Sequence, residues 1–491
     1  MNKIKKYYRI TFQLASPLAV SSGEDFTTDR DIVKDSRGIP YIPGSALAGM
    51  YRKLFSGKTA EKYFGPELTK ERMISSSEKG KNELSESLVV VYDACIQAQQ
   101  PDSIVTKRDM VALDEYKTAI EGAKFDFEVL EPSVTFVTYI EQNMENADQQ
   151  YVINEIADAW MKGRITLGAK TMRGYGHTKG IKAQAIMYDL ADSVQLNAWL
   201  KFDMYQEDWN LGDTYNLCDS SCLSSLSGLP EKQADGVREK YKMQEIALAQ
   251  NSQCLIQLTL EQRGGISIRQ YTTAVNEEDY RQLTAKVFSE KEKKQIEETP
   301  VIPGTSWAGA FRAQMGRLDP GFRKDMPCAV AFFGEKKGQD TKSKSSRSRI
   351  GFSESRITGG KWVTYTHNAI DRFTGGTVDG ALYTEKMYYN GKTDLTITCD
   401  FSRKGSRVVS QEERKHFASV MAAAILDLDN GYMAVGGLTS IGRGLFHVGR
   451  ICIDGKVIFD KAQKIDNKEK MEGIYKDLRM AIAGGGEIVN V

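Results

Sequence analysis

Apolar and polar residues alternate at two widely separated places. Tyr8, Ile10, Phe12 and Leu14 interleave with Arg9, Thr11 and Gln13. Ile256, Leu258 and Leu260 interleave with Gln257, Thr259 and Glu261. A period of two predicts a strand with one face buried. Residues 88–92 and 134–140 predict further strands, as do Leu395, Ile397, Cys399 and Phe401. Two stretches change to helical spacing. Ile153, Ile156, Ala157 and Trp160 lie on one face of a helix, and so do Phe417, Val420, Met421, Ala424 and Leu428. Shorter helices follow two Pro-Gly pairs, with Leu47, Tyr51, Leu54 and Phe55 inward in one and Trp307, Phe311 and Met315 in the other. Residues 21–38, 66–87 and 335–348 are polar excursions, 100–124 reads as a projecting arm, and 461–481 as a charged terminal helix.

The pattern occurs twice because the chain does. Ile42-Pro43-Gly44-Ser45-Ala46-Leu47-Ala48-Gly49-Met50-Tyr51-Arg52 recurs as Ile302-Pro303-Gly304-Thr305-Ser306-Trp307-Ala308-Gly309-Ala310-Phe311-Arg312, 260 residues on. Phe64-Gly65 answers to Phe333-Gly334, and Ala112-Leu113-Asp114 to Ala369-Ile370-Asp371. A glycine-rich loop closes each copy: 167–176, with Gly168, Lys170, Arg173 and Gly174, and 436–444, with Gly437, Arg443 and Gly444. Ordered blocks at a domain-sized offset predict two copies of one domain. Each runs strand, helix, strand, arm, strand, helix, glycine loop, strand. That order predicts an α+β fold: two tandem ferredoxin-like (RRM-like, βαββαβ) domains with arm-like inserts. The expected boundaries are 1–189, a linker at 190–245, 246–460, and a helical tail at 461–491. Ser45 and Thr305 are expected to cap their helices, and Ala48-Gly49 and Ala308-Gly309 to let them lie close against a neighbour.

Composition narrows the partners. Among 491 residues, Lys+Arg is 66 and Asp+Glu 65, so no overall field attracts a polyanion, and any nucleic-acid surface must be a local stripe. The seven cysteines are scattered, no secretory signal opens the chain, and no apolar run approaches a membrane span. The expectation is a reduced, soluble, cytoplasmic protein with no membrane partner. No Walker loop occurs, and the glycine loops lack the dinucleotide-binding order, so no nucleotide cofactor is expected. Cys218 and Cys222 have no second pair nearby and read as loop thiols.

The ordered motif set resembles the RAMP proteins of type III CRISPR effector complexes, specifically the Csm/Cmr-type backbone subunit. The I-P-G-[S/T]-x-x-A-G-x-x-R helix and the Arg-Gly glycine loop carry the resemblance, twice. Residues 107–125, opening on Lys107 and Arg108, which are expected at the surface in contact with RNA, resemble the family's thumb, and 368–376 resemble it in the second copy. Two units in one chain resemble the fused backbone subunits of type III-D systems. The resemblance implies a guide RNA bound along both cores, other effector subunits as partners, and single-stranded target RNA as substrate. It also implies target cleavage by an aspartate before the first helix, with a divalent metal, Mg²⁺ or Mn²⁺. Asp29, heading Asp29-Arg30-Asp31-Ile32-Val33-Lys34-Asp35, inherits that role and the metal, with Asp31 second. The second copy departs from the pattern, and Asp279 is the one aspartate in 270–300.

In that setting the residue chemistry is specific. Glycine N–H groups can approach phosphate closely, with Lys170, Arg173 and Arg443 adding charge. Ser45, Arg52, Thr305 and Arg312 on the Pro-Gly helices are further phosphate candidates. RNA carries its own 2′-hydroxyl nucleophile, so a loop carboxylate need only hold a metal or move a proton. Two alternatives stay open. One is a guide-processing endoribonuclease of the same superfamily, cutting without metal through a histidine such as His177. The other is an RNA-binding scaffold with no catalysis.

Overall fold

The computed structural model describes residues 4–23, 30–55, 57–66, 87–97, 104–113, 119–144, 151–161, 165–206, 209, 213–216, 253–271, 278–289, 294–323, 325–334, 348–401, 409–461 and 468–484. Asp29, Cys218 and Cys222, with most of the expected linker, lie outside them. The chain divides into two compact units. Unit 1 comprises Met1–Thr171, Tyr175–Met243 and Phe288–Ile296; unit 2 comprises Met172–Gly174, Gln244–Val287 and Glu297–Val491.

In unit 1 the strand Ile4–Leu14 pairs antiparallel with Thr178–Asp189 on one side and Thr135–Met144 on the other. Val89–Val91 and Ala94–Ile96 continue the sheet beyond Thr135–Met144. Numbering the four strands of the βαββαβ unit by sequence gives the order 4-1-3-2. Unit 2 repeats it: Leu445–Ile453, Gln253–Arg263, Lys392–Asp400, then Ile350–Phe352. Each unit is therefore a ferredoxin-like domain, as the element order predicted. Both first strands also slip register once against their last strand, between Thr11 and Gln13 and between Thr259 and Leu260.

Helices cover one face of each sheet because the apolar stripe of each helix needs an apolar sheet face. In unit 1 Leu47 and Tyr51 of Gly44–Arg52, with Ile153, Ile156 and Trp160 of Tyr151–Met161, pack on Tyr8, Ile10, Phe12 and Phe136. The Trp160 ring lies 5.0 Å from Phe12, and its N–H donates to the Tyr51 hydroxyl. In unit 2 Trp307, Phe311 and Met315 of Gly304–Leu318, and Phe417, Met421, Ala424 and Leu428 of Gln411–Asn430, close the core. A Ser410 capping box starts Gln411–Asn430 and Gly431, at φ +80°, ends it. The terminal helix Lys468–Ala483 packs on Gln411–Asn430 through Ile474, Leu478 and Ile482.

The other face of the unit 1 sheet carries an aromatic cluster: Tyr7 and Tyr188 with Phe202 and Trp209, and Trp199 of Ser193–Leu200 donating to the Tyr7 hydroxyl. The early part of the expected linker is thus packed structure. The arm of the first copy is a long hairpin, Val105–Leu113 with Ala119–Leu130. In the second copy the hairpin Lys361–His367 with Tyr383–Tyr389 joins a five-stranded sheet. Its tip is held by Asp371, which accepts from the N–H groups of Phe373 and Thr374, and Phe373 stands 98% exposed.

Candidate functional site

Backbone hydrogen bonds align the two copies residue by residue. Val33 N–H donates to Val20, and Leu283 N–H donates to Ile268. Tyr41 N–H donates to Val33, and Val301 N–H donates to Leu283. Val33 therefore corresponds to Leu283. Counting back four residues from each gives Asp29 and Asp279. The aspartate of the second copy stands at the same step as the first, which the different loop lengths conceal in the sequence.

Asp279 is exposed and held. Its Oδ2 accepts from the Thr384 N–H at 2.7 Å and from the Thr384 hydroxyl at 3.1 Å. The Thr384 N–H, then its hydroxyl, holds the carboxyl below the usual aspartate range. Asp31 is different: at 5% exposure it is enclosed, and it corresponds to Arg281 rather than to a second acid. Among the described residues no group of three or more His, Cys, Asp or Glu side chains is placed to hold a metal. One accessible carboxylate still suits Mg²⁺, which takes one or two protein carboxylates and fills its shell with water and phosphate.

The Pro-Gly helices begin two residues earlier than expected. Pro43 and Pro303 occupy the N-cap, and neither helix has a side-chain cap. Ser45 and Thr305 sit in the first turn, Ser45 exposed and Thr305 half-buried. Close approach belongs to Gly44 and Gly304. A Cβ on Gly44 would lie 2.4 Å from the Val91 carbonyl oxygen, and on Gly304 2.2 Å from that of Phe352. Gly49 and Gly309, expected at a packing contact, face open space. Ser45, Gly49 and Arg52 fall at i, i+4 and i+7, so the helix presents a small-residue stripe ending in an arginine; Thr305, Gly309 and Arg312 repeat it. Arg52 donates to the Gly65 carbonyl. Arg312 lies 5.8 Å from the Phe333 ring.

The glycine loops superpose in register. Leu167 N–H donates to Gly176 and Val435 N–H to Gly444, both at 2.9 Å. Lys170 and Leu438 both take positive φ, at 58° and 54°. A 3-10 turn follows in each, Thr171–Arg173 and Thr439–Ile441, then Gly174 and Gly442 at φ +83° and +80°. The shared Arg-Gly of the sequence is thereby displaced: Arg173 matches Ile441, and Arg443 matches Tyr175. The glycines also do a different task. Gly437 N–H donates to the Ser267 carbonyl and Gly444 N–H to that of Gly265, so those donors are spent inside the domain rather than offered to phosphate. A Cβ on Gly168 would meet the Ala19 carbonyl oxygen at 2.4 Å.

The remaining candidates separate by exposure. Arg173 is exposed at the end of its turn. Lys170 Nζ lies over the Phe127 and Phe125 rings at 3.2 and 4.6 Å. Arg443 lies over Tyr389 and Tyr365 at 5.3 and 5.6 Å. Lys107 pairs with Asp126 on the arm surface. Arg108 is buried and paired with buried Glu131 at 3.0 Å, which takes it off the surface and out of reach of phosphate. His177 is half-buried beside its loop, and burial pushes its imidazole pKa down.

Strand alternation missed a group of polar residues in the second copy: Ser267, Arg269, His367 and Glu385, brought together from four strands or loops. No motif marks them, because their partners lie more than a hundred residues apart or on opposite strands of the arm.

Among described residues no helix is long and apolar enough to cross a membrane. No curated protein matches the chain significantly. A family model, the RAMP superfamily, matches residues 11–179 and 285–447, one match in each ferredoxin-like domain, and takes in both glycine loops. The superfamily includes RNA-binding proteins associated with type III CRISPR systems. With more than half its length matched, once in each domain, the chain belongs to the RAMP superfamily.

Proposed function

We propose that the chain is a two-in-one backbone subunit of a type III CRISPR interference complex. It binds a guide RNA along both domains and cuts complementary target RNA at two carboxylates, Asp29 and Asp279. The observation that carries this reading is the common step of the two aspartates, each four residues before the matched pair Val33 and Leu283. A carboxylate kept by chance in two loops of different length has no reason to hold that step.

Asp279 is set for the task by Thr384, which fixes Oδ2 and keeps the group ionised. A divalent cation bound there would neutralise phosphate charge and promote attack by the 2′-oxygen. The chain's own contribution is to hold the carboxylate at the start of strand Tyr280–Gln282 and to hold the strand's neighbour in the arm. The small-residue stripes ending in Arg52 and Arg312, and the exposed Arg173, supply surface against the RNA backbone. Base pairing between guide and target supplies sequence selection.

The test uses the complex with its guide RNA and an end-labelled complementary target, in Mg²⁺ or in EDTA. Asp29→Ala is expected to abolish one metal-dependent cut and Asp279→Ala another, each leaving the other cut and RNA binding intact. Unchanged cutting in both variants would remove the carboxylates from the mechanism. A bound but uncut target in the unsubstituted protein would leave a scaffold.

A further inference from the structure

One station of the arm carries a charge pair in both domains, with the partners exchanged. Ala19 and Ser267 match through their bonds to the glycine loops, so the isolated bridge Leu18 to Leu130 corresponds to the pair Ile266 to Tyr388. Counting back from Leu130 and Tyr388 matches Glu128 with Lys386, and Phe127 with Glu385. Glu128 pairs with Lys34 at 3.0 Å, and Lys386 pairs with Glu278 at 3.5 Å. In each domain the partner comes from the segment before the Pro-Gly helix. The strand that supplies the lysine differs between the domains, and the lysine is kept.

In the second domain that lysine stands beside Asp279. Thr384, which holds the Asp279 carboxylate, lies two residues before Lys386 on the strand Tyr383–Tyr389. Residues two apart share one face of a strand, about 7 Å from each other. Glu278, the partner of Lys386, immediately precedes Asp279. The face is open to solvent: Thr364 and Thr366, across the hairpin from Lys386 and Thr384, are exposed, and the Lys386 side chain is 35% exposed. Two contacts aim the ammonium without consuming it. Glu278 Oε1 is itself held by the Thr364 hydroxyl at 3.2 Å, and the Trp362 ring lies 5.9 Å from the Lys386 Nζ. An ammonium carries three donors, so one ion pair at 3.5 Å leaves donors for a second anion.

A carboxylate and an ammonium about 7 Å apart on one open face leave room for a single phosphate between them. We propose that Lys386 is a further catalytic residue of the second domain: its ammonium contacts the scissile phosphate of target RNA next to Asp279 and stabilises the negative charge that grows there during cleavage. The inference rests on the reading of Asp279 as a cleavage site. In the reaction the bond from the 2′-oxygen to phosphorus forms as the bond to the 5′-oxygen breaks. The 2′-hydroxyl proton goes to solvent, and solvent returns one to the 5′-oxygen. Lys386 transfers no proton; it acts as a fixed positive charge that is already in place before the transition state. Glu278 is a positioning residue, which holds the ammonium on the Asp279 side of the strand.

The test uses the assembled complex with its guide RNA and an end-labelled complementary target, and compares Lys386→Met, Lys386→Arg and Asp279→Ala in single-turnover cleavage. Lys386→Met is expected to slow the cut that Asp279→Ala abolishes by about a hundredfold and to leave the other cut at its normal rate, which serves as the control for folding and assembly. Lys386→Arg, which keeps the cation, is expected to restore most of the rate. A second readout needs no catalysis: in EDTA, Lys386→Met is expected to lower the slope of log K against log salt for target binding by about 0.7. An unchanged rate in Lys386→Met, an arginine variant as slow as the methionine one, or an unchanged salt slope would each overturn the proposal while leaving Asp279 in place. If Asp279→Ala loses no cut, the functional reading of the second domain fails and this proposal falls with it, which separates the two failures.

Discussion

Single side chains show where the fold tolerates cost. Lys6 lies on the core face of its strand, 4% exposed, with Nζ 5.2 Å from the Tyr8 ring. Burial lowers its pKa from 10.5 to about 8. The unfolded chain keeps that proton to about pH 10.5, while the folded chain loses it above about pH 8. The destabilisation is therefore full below pH 8 and fades as pH rises to 10.5, on the order of 3 kcal/mol in all. Lys6→Met should raise stability at pH 7 by up to that amount and flatten the rise between pH 8 and 10.5. Urea unfolding at several pH values checks it, and no gain at pH 7 would mean that the ammonium is well solvated. Arg108 makes the opposite point. As a thumb residue it read as a surface cation, but strand pairing turns it inward onto Glu131, and alternation within a two-stranded arm does not reveal which face is covered.

At the scale of elements, the glycine loop was legible in composition and illegible in purpose. The sequence aligns the loops on Arg-Gly, two residues out of register, because identity is a stronger visual signal than backbone shape. Conformation sets the true match, with positive φ at Lys170 and Leu438 and at the glycines after the 3-10 turn. Gly176 and Gly444 are the demanding positions. Each has positive φ, and a Cβ on either would lie 1.9 Å from a carbonyl oxygen, of Leu167 or Val435. Gly444→Ala should cost roughly 2–3 kcal/mol. Gly442→Ala, at φ +80° in open space, should cost about 1 kcal/mol. Thermal melts of the two variants distinguish a packing role from simple turn geometry, and equal losses would refute the former. The helix caps misled for a related reason: Ser45 and Thr305 have the right side chains, but Pro43 and Pro303 already supply the extended conformation of an N-cap.

For the whole molecule, the doubled motif foretold two domains, and the element order foretold their ferredoxin-like sheets. Alternation sufficed there because in each sheet one face takes the helices, even though an aromatic cluster covers part of the opposite face in unit 1. The polar group around Glu385 could not be foretold. It arises where strands distant in sequence meet, and only the paired copy, with Phe127 at the same station, shows that it is a departure. Near-neutral net charge has a consequence at this scale too. With +1 overall, the proposed binding of RNA would rest on a few local cations, so its salt dependence should be shallow. If Arg443 reaches phosphate in the bound state, Arg443→Ala lowers the slope of log K against log salt by about 0.7. Titrations from low to moderate salt measure it, and an unchanged slope would confine Arg443 to its tyrosine rings.

The tying of both glycine loops bears on energetics. Each is bonded at its ends to its own domain, Leu167 to Gly176 and Ala169 to Ala19 in one, Val435 to Gly444 and Gly437 to Ser267 in the other. Such a loop is finished before any ligand arrives. Association at its surface spends no conformational entropy on folding backbone, so even a few weak contacts there can hold a strand.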